Sequence, residues 1–110
     1  MNFKVDLSDS FKREFKRLLK RHKSLPEDFR ALIETLESDP YQGTPIGQGC
    51  YKIRMAIRSK GKGKSGGARV ITCVVAVRET VYLLSIYDKS EQDTLSAARL
   101  TTLLAELGLL

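Results

Sequence analysis

Residues 51–87, YKIRMAIRSKGKGKSGGARVITCVVAVRETVYLLSIY, decide the fold of this chain because they contain three consecutive strand patterns. In residues 51–58 apolar and polar side chains alternate, which places Lys52, Arg54 and Arg58 opposite the apolar face. Residues 68–77 are apolar on both faces except at Arg69, which predicts a central strand covered on both sides. Residues 80–87 predict a third strand. Because the connections are short, we expect an antiparallel meander.

Three helices are predicted around this meander, each from a stripe of apolar residues at helical spacing. The first has Ser8 or Ser10 as its cap, and the second begins at residues 24–28, where a proline and two acids lie in the first turn. The last helix is capped by residues 93–96 and ends at Gly108. The three stripes consist of Phe11, Phe15, Leu18 and Leu19; Phe29, Leu32, Ile33 and Leu36; and Leu100, Leu103, Leu104 and Leu107.

The remaining segments complete a single small domain. Residues 2–7 alternate apolar and polar side chains and predict a short first strand. Residues 41–49, YQGTPIGQG, follow a helix stop at Asp39-Pro40 and are interpreted as a loop. The predicted order is β-α-α-β-β-β-α over residues 1–110, an α+β domain with an antiparallel sheet, an N-terminal helical hairpin and a C-terminal helix.

Composition excludes several classes of protein. Apolar residues make up 42% and charged residues 29% of the chain, which is typical of a globular domain. No apolar run is long enough to cross a bilayer and the amino terminus does not resemble a signal peptide, so we expect a cytoplasmic protein. Cys50 and Cys73 have no neighbours that would complete a metal site and are expected to be buried free thiols. The lone His22 is expected to be packed and excludes a paired-histidine ribonuclease site.

The net charge of +6 is concentrated in one block of the chain. Residues 50–69 carry seven Lys or Arg and no acid, whereas residues 25–49 carry one basic residue and five acids. A purely cationic block favours a polyanion partner, because clustered cations release the counterions of phosphates. The alternative is an ordinary solvated surface.

The stretch SKGKGKSGGA, residues 59–68, contains the GKS of a phosphate-binding P-loop but does not fit that motif. The motif needs a glycine where this chain has Arg58, and it leads into a helix, whereas this stretch leads into a strand. We interpret it as the long tip of a β-hairpin, a mobile arm from which Lys60, Lys62 and Lys64 project into solvent. Three lysines on such an arm can grip phosphates without a fixed geometry.

The candidate chemistry lies in a cluster of basic and phenolic side chains. In a meander, the start of the second strand and the end of the third lie at one edge of the sheet. Arg69, Tyr87 and Lys89 are therefore expected to converge. Whether Lys52 and Arg54 reach the same place depends on strand register.

Such a cluster could bind RNA or cleave it, and the residues alone leave both functions open. Cleavage by the neighbouring 2′-OH needs a base, positive charge on the phosphorane and an acid for the leaving 5′-oxygen. Arg54 and Arg69 have planar guanidinium groups that suit phosphate oxygens. Lys52 or Lys89 could transfer protons, because neighbouring cations lower the pKa of an ammonium group.

Residues 51–95 resemble the RelE/ParE toxin superfamily, most of all the HigB-type RelE-like toxins of type II toxin–antitoxin modules. The similar features are the basic strand and Lys/Gly-rich hairpin of YKIRMAIRSKGKGKSGGARVI and the later VYLLSIYDKSEQDTL, with its IY-x-K-x-E-x-x-x-L pattern. The resemblance implies ribosome-dependent cleavage of mRNA in the 30S decoding site, without a metal or other cofactor. It also implies neutralisation by a cognate antitoxin, commonly a helix-turn-helix protein of the HigA type.

The resemblance assigns site residues by matched position. These catalytic candidates are Lys52, Arg54, Arg69, Tyr87 and Lys89. The positive charge of the hairpin separately gives the RNA-binding candidates Arg58, Lys60, Lys62 and Lys64. Some relatives have an arginine at the position of Lys89, in several the tyrosine lies farther along the tail, and the base and acid are not assigned. Two other functions fit the same fold or charge: a ParE-like inhibitor of DNA gyrase and a non-catalytic basic RNA-binding module.

Overall fold

The computed structural model describes residues 2–92 and 94–110 and shows one five-stranded sheet with helices on both faces. The α+β class, the N-terminal pair of helices and the C-terminal helix are confirmed. The elements are β1 Lys4–Leu7, α1 Asp9–Leu19, α2 Leu25–Ser38, β2 Thr44–Gly47, β3 Cys50–Met55, β4 Ala68–Val75, β5 Thr80–Asp88 and α3 Ala97–Glu106. In the described part of the chain, no helix is long and apolar enough to span a membrane.

The sheet has the strand order β1-β5-β4-β3-β2. The predicted meander is confirmed, because β3 pairs antiparallel with β4 and β4 pairs antiparallel with β5. The expectation of a wholly antiparallel sheet is wrong at one edge, where β1 lies parallel to β5. Parallel neighbours require a long crossover, and here the whole segment from α1 to β4 provides it.

The loop predicted at residues 41–49 contains an edge strand, β2, which pairs antiparallel with β3. Gln48 and Gly49 join the two strands with φ angles of 57° and 75°. Positive φ at both central residues is the signature of a tight hairpin turn of type I′. Pro45 and the flanking glycines concealed this strand in the sequence, although proline is tolerated at a sheet edge.

The core has two layers, one on each face of the sheet. The helical hairpin covers one face with the mutually packed rings of Phe11, Phe15 and Phe29. The other face is covered by α3, whose leucines pack against Ile71 and Leu84. Burial on both faces of the sheet explains why β4 is apolar except at Arg69 and Thr72.

The predicted helix starts are confirmed where the structure describes them. The hydroxyl oxygen of Ser8 accepts a hydrogen bond of 3.0 Å from the Phe11 N–H, and that of Ser96 accepts one of 3.0 Å from the Arg99 N–H. The predicted contribution of Asp93 to the last cap lies outside the described residues. Leu19 was expected in the core but is 39% exposed. Successive residues are about 100° apart around a helix, and Leu18 already takes the inward position.

Candidate nucleic-acid interface

Strand register brings three of the predicted site residues into one row, which we call the arginine row: Arg54, Arg69 and Tyr87. Arg54 in β3 lies directly opposite Arg69 in β4, and Arg69 lies opposite Tyr87 in β5. Neighbouring strands are about 4.8 Å apart, so the row spans roughly 10 Å of sheet. Of the three residues expected to converge, Arg69 and Tyr87 share this row and Lys89 lies beyond it, opposite Gly67, while the register adds Arg54.

Arg54 and Arg69 form a pair at the closer of the two spacings in an antiparallel ladder. Farther along the same ladder, the Val74 N–H donates to the Gly49 carbonyl at 3.0 Å, so the Gly49–Val74 pair is hydrogen-bonded. Hydrogen-bonded and non-hydrogen-bonded pairs alternate along the ladder, and an odd number of positions separates Arg54–Arg69 from Gly49–Val74. The Arg54–Arg69 pair is therefore not hydrogen-bonded, and its Cα atoms are about 4.5 Å apart. Like charges directly opposite each other destabilise a sheet. An anion bound between the two side chains would remove that cost.

The Arg69 guanidinium is buried and bonded to the glycine-rich segment that precedes it. The residue is only 4% exposed. Its Nη1 donates to the carbonyls of Lys64 at 2.9 Å and Ala68 at 3.1 Å, and its Nη2 donates to the carbonyl of Ser65 at 3.3 Å. Carbonyl oxygens satisfy the N–H donors but leave the positive charge uncancelled. Arg69 is therefore both a structural anchor and a cation held in a fixed position, and the sequence had indicated only the second role.

Lys52 lies one step away from the arginine row. It faces Ile71 across the ladder, two residues before Arg54, which is about 7 Å along the strand. The side chain is half-buried and borders a cavity of about 170 Å³ beside the start of α3 at Ser96. Lys52 thus lies next to the arginine row, but its side chain borders the cavity beside α3.

The end of β5 carries the other two catalytic candidates. Tyr87 is buried and belongs to the cluster packed beneath α3, together with Leu100 and Leu104. Lys89 is exposed, and its backbone N–H donates to the Gly67 carbonyl at 3.1 Å. This bond joins the tail after β5 to the residues just before Arg69. The exposed ammonium of Lys89 and the buried phenol of Tyr87 consequently have different access to a ligand.

Residues 58–67, which we call the basic arm, are anchored to α2. The arm contains two 3₁₀ turns, Arg58–Lys60 and Lys64–Gly66. The Arg58 guanidinium donates to Asp28 Oδ1 at 2.8 Å and to Glu27 Oε2 at 2.7 Å. The expected mobile tip is therefore a tethered one. Arg58 remains exposed, but its charge is already paired.

The expectation that all three arm lysines project into solvent is wrong for Lys60. Its side chain is 12% exposed, and its Nζ donates to Asp88 Oδ1 at 2.8 Å. Lys62 and Lys64 are exposed as expected. The arm folds back over β5, so that Lys60 meets Asp88. The spacing of residues within the arm does not reveal this contact.

Asp88 was not foreseen and is the centre of a buried polar cluster. Its Oδ2 lies 3.0 Å from His22 Nε2, and its Oδ1 accepts from the Ser90 N–H at 2.9 Å and the Ser90 hydroxyl at 2.7 Å. Burial by itself raises the pKa of Asp88, but hydrogen bonds from Lys60 and Ser90 outweigh burial and hold that pKa well below its usual range. The carboxylate joins the end of α1, the basic arm and the tail of β5. The expectation that His22 is packed near a helix end is confirmed.

Replacing Asp88 by asparagine should lower the free energy of unfolding at pH 7 by about 2 kcal/mol, because charge-assisted hydrogen bonds are lost. The folded-state pKa of Asp88 lies below the unfolded value of about 3.9, so its stabilisation is present above that value and is lost as pH falls below it. Urea unfolding at pH 7, 5, 4 and 3 measures this. Asp88→Asn should show a smaller loss of stability below pH 5 than the parent chain. An equal loss of stability with falling pH in both proteins would contradict this prediction. So would an effect of Asp88→Asn at pH 7 that is no greater than that of the exposed control Asp39→Asn.

A groove of about 600 Å³ between α2 and β3 adjoins the arginine row at one end. Arg54, Arg58 and Lys64 contribute cations to its walls, and Glu27 and Glu34 contribute acids. Arg69, Tyr87 and Lys89 do not line it. Arg54 is therefore the residue common to the groove and to the arginine row.

Within residues 2–92 and 94–110, no group of three or more His, Cys, Asp or Glu side chains is arranged to hold a metal ion. Among the predicted site residues, positive charge is concentrated at the arginine row, with Lys52 and Lys89 on either side and Lys62 and Lys64 exposed on the basic arm.

A family model described as "RelE toxin of RelE / RelB toxin-antitoxin system" matches residues 10–106. The fold is similar to that of a mutant of the Escherichia coli toxin RelE in the free state, with a TM-score of 0.60 and 19% identity over 84% of this chain and 90% of that one.

Two toxin–antitoxin complexes contain similar chains. The RelBE2 complex from Mycobacterium tuberculosis gives a TM-score of 0.61 and 17% identity over 80% of this chain and 92% of that chain. The intact RelBE complex from E. coli gives a TM-score of 0.57 and 20% identity over 78% of this chain and 95% of that chain. At these identities the structural likeness shows a shared fold.

Proposed function

This chain belongs to the RelE toxin family of toxin–antitoxin systems, and we propose that it inhibits translation by cleaving mRNA in the decoding site of the ribosome. The observation that carries the proposal is the direct opposition of Arg54 and Arg69 across β3 and β4. The exposed Arg54 guanidinium can contact a non-bridging oxygen of a phosphate, and the buried positive charge of Arg69 beside it adds to the attraction. The exposed Lys62 and Lys64 can hold the neighbouring phosphates.

The arrangement suits cleavage by the ribose 2′-OH next to the scissile phosphate. The 2′-oxygen attacks phosphorus as its proton passes to a base, and the bond to the leaving 5′-oxygen breaks as an acid protonates that oxygen. Arg54 and Arg69 would stabilise the added charge on the phosphorane, which is greatest in the transition state. Lys52, Tyr87 and Lys89 are the proposed proton-transfer residues. Their two roles stay unassigned among the three.

The proposed dependence on the ribosome rests on membership of the RelE toxin family, and the chemistry of the site is consistent with it. A site of this kind works through charge and alignment, so its rate depends on an RNA that is already held in line. Codon-bound mRNA on the 30S subunit is held in that way. The basic arm and the exposed end of Arg54 would contact the RNA from the side of the groove.

The proposed regulator is a cognate antitoxin of the helix-turn-helix, HigA type. An acidic antitoxin segment would neutralise the cationic surface formed by Arg54, Lys62 and Lys64. The similar chains from M. tuberculosis and E. coli were solved in complexes of toxin with antitoxin. Binding of such a segment across the arginine row would exclude mRNA.

Expression of this chain in bacteria should arrest growth, and primer extension on mRNA from those cells should show new 5′ ends within translated regions. The same ends should appear in vitro when purified protein is added to ribosomes programmed with a defined mRNA. Cleavage should fall by at least about 100-fold when ribosomes are omitted, because the aligned RNA is lost.

Three controls separate this function from its alternatives. Equal cleavage of naked RNA would contradict the role of the ribosome. Growth arrest with gyrase-linked DNA breaks and intact mRNA would indicate a ParE-like inhibitor of gyrase. RNA binding without cleavage in either assay would indicate a non-catalytic binding module.

A further inference from the structure

The two cysteines of the chain lie opposite each other across two central strands. Cys50 is the first residue of β3, and its partner in the β3–β4 register is Cys73. Both are free thiols, and they are only 1% and 4% exposed. They belong to the apolar cluster between the sheet and α3, on the same face as the arginine row but at the opposite end of the ladder.

The ladder places this pair at the spacing that a disulfide requires. The neighbouring rung is the hydrogen-bonded one, from the Val74 N–H to the Gly49 carbonyl at 3.0 Å, so Cys50 and Cys73 form a non-hydrogen-bonded pair. Such pairs have Cα atoms about 4.5 Å apart, within the range of about 4.4 to 6.8 Å found across disulfides. The two thiols also donate to the same carbonyl oxygen, that of Gln48, with Cys50 Sγ at 3.6 Å and Cys73 Sγ at 3.9 Å. Closing the bond therefore needs no large backbone movement.

The two thiols differ in reactivity and in access. The neighbouring Cys73 thiol and burial both raise the pKa of Cys50. Cys73 also borders a groove of about 480 Å³, whose walls include Gln48 and residues 108–110. Cys73 is thus the more accessible sulfur, and its thiolate is the group that would attack a disulfide.

We propose that Cys50 and Cys73 form a dithiol site that low-molecular-weight disulfides convert to an intramolecular disulfide between β3 and β4. The Cys73 thiolate attacks one sulfur of the reagent, whose S–S bond breaks and releases one thiolate. Cys50 then loses its proton and attacks the Cys73 sulfur, which releases the second thiolate. The protein loses two protons and two electrons, and the reagent is reduced to two thiols.

The bridge would stabilise the sheet without displacing the candidate site. Residues 51–72 would become a closed loop that carries Arg54, the basic arm and Arg69. Because β3 and β4 are already paired at the bridged rung, the native register is retained. The main effect is to restrict the unfolded chain, so that the oxidised protein resists unfolding. This inference stands independently of the proposed RNA chemistry.

The test is oxidation of the folded full-length chain with oxidised glutathione, followed by denaturation, trapping of remaining thiols with N-ethylmaleimide, and intact-mass and peptide analysis. The expected result is a protein lighter by two hydrogens, without maleimide adducts, that contains a peptide linking Cys50 to Cys73. Its melting temperature should rise by roughly 5 to 15 °C, and dithiothreitol should reverse both changes. Cys73→Ser should form no linked peptide and show no such rise.

Several outcomes would overturn the inference. One is wild-type protein that retains two trappable thiols after native oxidation. Others are a stable single glutathione adduct, a disulfide between two molecules, or bridging that occurs only after denaturation. Because each outcome is read from the wild-type chain, the result does not depend on whether Cys50→Ser or Cys73→Ser folds as well as the parent.

Discussion

Replacing Arg69 by alanine should lower the rate of ribosome-dependent mRNA cleavage by about 100-fold to 1000-fold and relieve growth arrest. Removal of one preorganised donor to a developing negative charge has effects of this size in other enzymes, about 3 to 4 kcal/mol in the activation free energy. Arg69 is positioned for this role because it lies directly opposite Arg54, and three carbonyl oxygens hold its buried guanidinium in place. The measurement is single-turnover cleavage at saturating ribosome concentration.

A matched control is needed because Arg69 also anchors the basic arm. Lys62→Ala removes one exposed positive charge from the arm without touching Arg69, and it should weaken ribosome binding with little effect on the saturated rate. Arg69→Lys keeps the charge but loses the planar fork, so it should recover only part of the rate. Thermal unfolding of all three variants shows whether they are folded. Folded Arg69→Ala that cleaves at the parental rate would remove Arg69 from the mechanism.

Replacing Gly67 by alanine should destabilise the fold by about 3 kcal/mol, because the added methyl group has no room. An added Cβ at Gly67 would lie 2.2 Å from the Met55 carbonyl oxygen and 3.0 Å from Ala56 Cα. Both contacts are backbone atoms, which cannot rotate away. The end of β3 or the start of β4 must therefore shift. The free energy of unfolding in urea measures the effect.

The comparison for Gly67→Ala is Gly61→Ala, on the same basic arm. A Cβ at Gly61 meets no atom within 4 Å, but the φ angle of 70° costs about 1 kcal/mol for a residue with a side chain. Gly67→Ala should also impair cleavage, because Gly67 accepts the Lys89 N–H and lies two residues before Arg69. Equal stability of the two variants would contradict the close-packing argument.

The order of elements followed from short-range patterns in the sequence. Alternation over residues 51–58, the apolar run of β4 and the helical stripes each depend on a few consecutive residues, and they predicted the elements correctly. Their ends were less exact, because β3 ends at Met55 rather than at residue 58 and β4 ends at Val75 rather than at residue 77. The cationic block was equally visible, since it needs only a count of charges. The β2 edge strand was missed because its glycines and Pro45 are more typical of a loop. It forms because it pairs with β3, and not because its own residues favour a strand.

The site shows the same division between local and long-range information. The sequence by itself determined that Arg69 would enter a central strand with basic residues on the strand before it. Only the tertiary structure decided that Arg54, Arg69 and Tyr87 share one row, because a shift of one residue in register would turn every side chain to the other face. It also decided that Lys60 is paired with Asp88 rather than exposed. The partners in these contacts are distant along the chain, so no local pattern records them, and the packing of the whole domain brings them together.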